Sequence, residues 1–157
     1  MHAQRHYVWV FIFSGLLLAG CAANVGKTIK VSDEQATRYG ALSAADAIAA
    51  LEKRVNEAKN ANMPFFAPNH FRGASEILND TRKSAEKKPR NELIGDIARA
   101  DAILDRGNTM MATVQTRLAN EFALKIQLDK DNVAKVYPKE YDKSVSELSS
   151  LIEKIEL

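Results

Sequence analysis

Apolar residues recur every three or four positions over the segment 93–118, and this spacing constrains the fold more than any other feature. The members are Leu93, Ile97, Ala100, Leu104, Gly107, Met111, Val114 and Leu118. Side chains at this spacing line the face of an α-helix that packs along another helix. The spacing becomes four through Phe122 and Ile126, so the apolar face begins to rotate. We predict one helix from about Asn91 to Lys130, with Gly107 as the point where it could break.

Serine and proline mark where three shorter helices begin. Ser43 is a good N-cap, and the helix after it is predicted to end near residues 60–62. Pro68 opens a second helix, which runs to about Lys87, and Pro138 opens the last one. Proline is tolerated there because the first helical turn does not need its missing N–H group.

Strand signals are absent between Ser43 and Leu157, where helix-favouring residues dominate. We therefore predict an all-α fold, an elongated antiparallel helical bundle or coiled coil of about four helices over residues 43–157. The shorter helices would lie along the long one. The segment 21–42 contains more glycine and polar residues and is predicted to be a flexible tether, with a short helical turn near Asp33–Arg38.

Two helix openings lie 70 residues apart and look alike. The pattern Pro-x-x-aromatic-x-x-small-x-x-x-Leu begins at Pro68 and again at Pro138. One explanation is duplication of a helical hairpin, which would give repeats over 43–88 and 90–157. The other is convergence, because a proline followed by an aromatic residue one turn later is a common way to begin an amphipathic helix.

The first 21 residues resemble the signal peptide of a bacterial lipoprotein. Arg5 precedes the apolar run Tyr7–Leu18, and Leu18-Ala19-Gly20-Cys21 matches a lipobox. The run is shorter than the roughly 20 residues that span a bilayer. The resemblance implies a signal peptide over 1–20, cleavage between Gly20 and Cys21, and a diacylglycerol with an N-acyl chain such as palmitate on Cys21. An ordinary cleaved signal or an uncleaved anchor remains the alternative.

The residues around the cleavage site also indicate a location. Cys21 is the only cysteine, so it cannot form a disulfide within the chain. In such lipoproteins Ala22, rather than aspartate, favours export, which implies a lipid-anchored protein on the periplasmic face of the outer membrane of a diderm bacterium. Without Arg5 the 22 basic residues become 21, against 20 acidic ones. This balance argues against a nucleic-acid partner.

Candidates for catalysis are few. Two carboxylate pairs, Asp96 with Asp101 and Asp129 with Asp131, could assist acid–base chemistry, but their helical spacing favours solvated faces. His70 is the only histidine after the predicted cleavage site, and it is predicted to be solvated. Glycine-rich phosphate loops and metal-ligand spacings are absent from the sequence. We predict a protein that is not an enzyme and that carries no metal and no cofactor apart from its lipid.

Five apolar residues are candidates for an interaction surface. Met63, Phe65 and Phe66 lie at a corner between two predicted helices, and Met110 and Met111 lie midway along the long one. Apolar residues at such places contact partners in some proteins. The alternative is that they cap or fill the core.

The opening Phe66-Ala67-Pro68, followed by an aromatic residue, an alanine and a leucine, resembles a family motif. Uncharacterised periplasmic helical-hairpin domains, found in lipoproteins and ahead of OmpA-like peptidoglycan-binding domains, carry similar Tyr-Ala-Pro openings. The resemblance covers about residues 44–157 and implies an envelope protein without a known catalytic centre. Because no OmpA-like domain follows before Leu157, peptidoglycan binding is not implied.

These observations favour a lipid-anchored scaffold or protein-interaction module. The expected partners are the membrane, through the lipid, and another envelope protein, with a homodimer as the second expectation. The competing hypothesis is a binding module that holds a small apolar ligand or lipid between its helices.

Overall fold

The computed structural model describes residues 29–157, and in this part of the chain the all-α prediction is confirmed. Helices contain 84% of these residues, and there is no strand among them. The signal peptide, the cleavage site and Cys21 lie outside the described residues. Within them, no helix is both long and apolar enough to cross a membrane. The eight helices are α1 (Asp33–Gly40), α2 (Ala44–Asn60), α3 (Met63–Phe66), α4 (Pro68–Ser84), α5 (Arg90–Arg117), α6 (Ala119–Lys130), α7 (Val133–Val136) and α8 (Pro138–Glu156).

The main core lies where α2 and α4 pack together against α5. Leu51 of α2 and Ala74 of α4 are fully buried, and so are Ile97 and Ile103 of α5. The buried positions of α2 and α4 fall on one stripe each, whereas those of α5 surround most of the helix, so packing the three together excludes water from their apolar side chains. These three helices form the first packing unit of the chain.

The long predicted helix breaks at a different place from the expected one. Leu118 leaves helical geometry, with φ −110° and ψ 26°, and separates α5 from α6. Its side chain is buried with Val114 and two residues of α8, and beyond it the ring of Phe122 lies 5.2 Å from that of Phe66. The chain therefore turns where its apolar stripe changes partners. Gly107 lies inside the continuous helix α5.

Gly107 allows another part of the chain to approach closely. A Cβ atom at this position would lie 2.8 Å from Sδ of Met63 and 3.0 Å from Cβ of His70. Both neighbours are buried, so neither has open space into which it could move. The missing side chain is therefore a packing requirement of the contact between α5 and the corner before α4.

The end of the predicted tether is part of the folded body. Ser32 and Gln35 form a reciprocal capping box that begins α1, a helix two residues longer than the predicted turn. Tyr39 and Gln35 are buried, and α1 packs on α5. Arg90 donates hydrogen bonds to the carbonyl oxygens of Gly40 and Leu42, at 2.8 and 2.5 Å. The tether prediction is wrong for residues 33–42 because their buried side chains find partners on α5.

The two similar helix openings have the same backbone geometry. Asn62 and Asn132 adopt left-handed conformations, with φ 62° and 54°, which asparagine tolerates better than most residues. Each asparagine precedes a four-residue helix. The residue that follows this helix and precedes the proline is Ala67, with φ −146°, or Tyr137, with φ −130°. In both corners this residue donates its N–H group across the short helix at 2.8 Å. The sequence pattern therefore marks a structural repeat with a period of 70 residues.

Replacing Gly107 with alanine should destabilise the protein by about 1 to 3 kcal/mol, because the added methyl group overlaps Met63 and His70. Gly95 is the matched control, since it lies exposed in the same helix with no atom within 4 Å of the added Cβ. Gly95→Ala should raise stability by about 0.5 to 1 kcal/mol through helix propensity. Urea unfolding followed by circular dichroism measures both changes. Equal effects would contradict the close contact.

Candidate functional site

The helices α6 and α8 enclose an open groove with an apolar floor, which we call the α6/α8 groove. Its volume is about 230 Å³. Two charged residues of α6, Glu121 and Lys125, and Glu147 of α8 stand beside this floor. The groove is therefore apolar within and carries charges of both signs at its edges. The floor is formed by Leu124, Leu128, Tyr141, Val145, Leu148 and Leu151.

Exposed apolar side chains concentrate on the same hairpin. Leu124 is 61% exposed and Leu151 is 41% exposed. Ile126, Val136 and Tyr137 are more than half exposed, and α6 contains no buried residue. Clustered exposed apolar residues are typical of surfaces that contact a partner or a ligand. Outside this hairpin, the exposed large apolar residues in 29–157 are Val31 and Leu157, and Leu157 directly follows α8.

A polar triad joins α6 to α8 at one edge of the groove. Nζ of Lys125 lies 2.8 Å from Oδ2 of Asp129 and 3.2 Å from Oη of Tyr141, which also donates to Asp129. The hydrogen bond from Lys125, followed by that from Tyr141, lowers the pKa of Asp129. The same bond to Asp129 raises the pKa of Lys125, so both groups stay charged at neutral pH. Lys125 and Tyr141 are half-buried and Asp129 is exposed, and the triad connects the two helices near their corner.

Asp101 is buried, contrary to the prediction of a solvated carboxylate. Its oxygens accept hydrogen bonds from Nη1 of Arg38 at 2.9 Å and Nε of Arg54 at 2.7 Å. Arg54 also bonds Asp105 at 2.5 Å, which in turn accepts from Gln35. A buried carboxylate needs such charged partners. The two arginines occupy both oxygens of Asp101, and the network ties α1 and α2 to α5.

Burial also changes the acidity of the neighbouring phenol. Burial, and then the negative charge of Asp101, raises the pKa of Tyr39 from 10.0 to about 12. The phenol therefore stays neutral throughout the physiological range. Its environment belongs to the Asp101 network, where it contributes to packing rather than to proton transfer.

His70 is buried as well, so its predicted solvation is wrong. Its Nδ1 atom lies 2.8 Å from Oε1 of Glu156, which also accepts the backbone N–H of His70 at 3.3 Å. The other oxygen of Glu156 accepts the N–H of Asn69 at 3.0 Å. Helix α4 has no side-chain cap of its own at Ala67. A carboxylate from the end of α8 therefore satisfies the free N–H groups at the start of α4.

The remaining carboxylates have surface partners, as predicted. Asp96 forms ion pairs with Lys88 at 2.5 Å and Arg99 at 2.7 Å. Asp131 accepts a hydrogen bond from Gln127 on the next helical turn. The pairs Asp96 with Asp101 and Asp129 with Asp131 are not brought together by any contact of these side chains. In residues 29–157 no three His, Cys, Asp or Glu side chains are grouped to hold a metal ion.

The predicted interaction surface is wrong for Met63, which is fully buried against α5. Phe65 and Phe66 are half-buried and pack with Phe122 in a second apolar cluster, centred on Val114, Leu118, Leu148 and Ile152. Met110 and Met111 are also half-buried and pack against the main core. Contact of these four with a partner stays a prediction.

The sequence does not predict the groove, because the apolar stripes place the last predicted helix along the second half of the long one. One signal is present in the sequence. Phe122 and Ile126 lie on one face of α6, and Leu124 and Leu128 lie on the opposite face, so one neighbouring helix cannot cover both pairs.

Glu156→Ala should destabilise the protein by roughly 2 to 4 kcal/mol, because two backbone N–H groups and the His70 ring lose their buried acceptor. The exposed Glu153, three residues earlier on α8, is the control, and Glu153→Ala should change stability by less than about 0.5 kcal/mol. Thermal unfolding measures both. A loss no greater than that of the control would show that the capping contact does not form.

Tyr39 should make the protein sensitive to alkaline pH. The unfolded chain ionises this phenol near its ordinary pKa of 10.0, whereas the folded protein keeps the proton until about pH 12. Its contribution is thus complete below pH 10 and is lost as the pH rises toward 12. The free energy of unfolding should therefore fall more steeply over this range than in Tyr39→Phe. Parallel pH curves from urea titrations would contradict this assignment.

No protein-family model matches the chain, and comparison with curated proteins and with solved structures finds no match either. The resemblance of the segment that begins Phe66-Ala67-Pro68 to envelope helical-hairpin domains therefore stays a prediction. Within the described part of the chain, the features that indicate a function are the α6/α8 groove and the exposed apolar residues around it.

Proposed function

We propose that this chain is a lipid-anchored cell-envelope protein whose helical body binds another protein and catalyses no reaction. The observation that carries the proposal is the concentration of exposed apolar side chains on α6, α7 and α8. The first unit (α2, α4 and α5), which has a closed core, supports a second unit (α6, α7 and α8), whose apolar residues remain accessible. This division suits a module that presents a binding surface on a stable base.

The proposed anchor is Cys21. The lipobox Leu18-Ala19-Gly20-Cys21 supports cleavage before the cysteine and the addition of three acyl chains. More than one chain is needed for stable anchoring, since a single chain binds membranes only marginally. Ala22 supports transport to the outer membrane, with the helical body on its periplasmic side.

The proposed body is an elongated, mostly antiparallel bundle. The 28 residues of α5 correspond to about 42 Å of helix, which is longer than α2 or α4. The apolar stripe of α5 contacts α4 along the first unit and α8 near its end. A body of this form would hold the α6/α8 hairpin away from the anchored end.

A second candidate function is the binding of a small apolar ligand or lipid. The α6/α8 groove favours it, because Leu124, Leu128 and Leu148 line a volume sufficient for part of an acyl chain. A ligand of this kind would raise the melting temperature of a monomeric protein. Protein binding instead requires the wider exposed surface that includes Ile126 and Val136.

The anchor is tested by Cys21→Ala, which removes the only sulfur that can accept the diacylglycerol. We expect the variant to leave the membrane fraction and to lose the mass of the acyl chains, as measured by fractionation and intact mass spectrometry. Ala22→Asp is the control: it should keep the lipid and move the protein to the inner membrane. A Cys21→Ala protein that stays in the membrane with no loss of mass would disprove the lipid anchor.

A further inference from the structure

We propose that the α6/α8 groove is the binding site for a second copy of this chain. Two α6/α8 hairpins would meet face to face around a two-fold axis and form a four-helix bundle. The inference deepens the proposed function, since it names the partner of the exposed surface. It rests on the internal repeat, on the missing third helix of the second unit and on the charges at the edges of the groove.

The repeat shows that, within residues 29–157, the groove is without the helix that covers the corresponding face of the first unit. Each residue that lines the groove has a counterpart 70 positions earlier in α2 or α4. Every one of these counterparts is buried or half-buried, whereas half of the groove residues are exposed. Leu128 corresponds to Ala58, and Leu148 to Leu78, and both counterparts belong to the core that includes Ile97 of α5. The groove is thus the face that a third helix covers in the first unit.

The second unit has no such cover from the described residues. Its α6 has no buried side chain, and Leu124 is 61% exposed although its counterpart Arg54 contacts Asp101 on α5. The two helices are joined at their corner and by the polar triad, and the groove lies between them. A helical pair with one open apolar face gains stability when another apolar helical face covers it.

The charges favour a second copy as the occupant. On α6 the acidic Glu121 is followed four residues later by Lys125, and on α8 the basic Lys143 is followed by Glu147. When α6 of one copy runs antiparallel to α6 of the other, with the two-fold axis level with Ala123, Glu121 of each copy faces Lys125 of the other. A two-fold interface requires such self-complementarity.

The same charges distinguish this occupant from others. A nucleic acid would need a groove lined by positively charged side chains, whereas Glu121 and Glu147 place negative charges there. An acyl chain would cover the apolar floor but would bring no charged partner to Glu121 or Glu147. A second hairpin covers the floor and brings partners to both charged edges.

The test measures the mass of the purified full chain in mild detergent over a wide range of concentrations. We expect a dimer that dissociates on dilution. Leu124→Glu and Leu151→Glu each place a charge in the groove at an exposed position, so they should weaken dimerisation at least tenfold with the helical content unchanged. Val31→Glu is the matched control, because Val31 is 38% exposed and lies outside the hairpin. Its dimer should persist.

A second measurement replaces the single cysteine of the chain and introduces a new one at a chosen position. In a Cys21→Ala background, Ser144→Cys places a thiol in the groove, where mild oxidation should give a covalent dimer. Val31→Cys, treated in the same way, should remain mostly monomeric. The pair reports proximity even if a glutamate variant fails to fold.

Three results would overturn the proposal. The first is a monomer at every concentration, and the second is a dimer that survives both glutamate substitutions. The third is a monomer whose melting temperature rises with a fatty acid, which would assign the groove to the apolar ligand. A monomer that still sediments with membranes through Cys21 and crosslinks in cells to a different envelope protein at position 124 would refute the dimer and leave the proposed function standing.

Discussion

Burial of helix α5 holds the first unit together, and the other elements are placed by it. Its apolar stripe contacts α2 and α4, while another side meets α1. Two buried positions of α5 have no apolar side chain. Gly107 leaves space for the corner before α4, and the charge of Asp101 is neutralised by Arg38 and Arg54. A larger residue at the first position or an unpaired charge at the second would prevent the close packing.

The second unit repeats the geometry of the first with less burial. Asn132 and Pro138 set the corner as Asn62 and Pro68 do, yet the hairpin they join has no third helix over it among residues 29–157. Its connection to the first unit is one small apolar cluster and the Glu156 contact. The fold therefore contains a closed core and an open apolar surface with the same corner geometry. The open surface is the proposed site of function.

Sequence periodicity predicted the helices well, because the positions of proline, serine and the apolar stripes are local signals. The shared pattern also predicted two similar helix openings, at Pro68 and Pro138, and both follow the same corner geometry. Three features could not be read in this way. The break at Leu118, the burial of Asp101 and the burial of His70 all depend on side chains that lie far away in the sequence, such as Glu156, 86 residues from His70. The groove depends on the distance between α6 and α8; apolar residues on opposite faces of α6 indicate that this helix needs further cover, but they do not set that distance.

The Glu156 contact also has a consequence for the order in which the chain folds. Closing a loop of 86 residues costs conformational entropy, and the contact forms only when the free N–H groups of α4 are already aligned. The helices of the first unit make shorter-range contacts and can assemble beforehand. We expect the second unit to open at a lower free energy than the first, because one small apolar cluster and the Glu156 contact join it to the rest of the chain. A surface that opens at a lower free energy than its base can exchange partners without unfolding the rest of the chain.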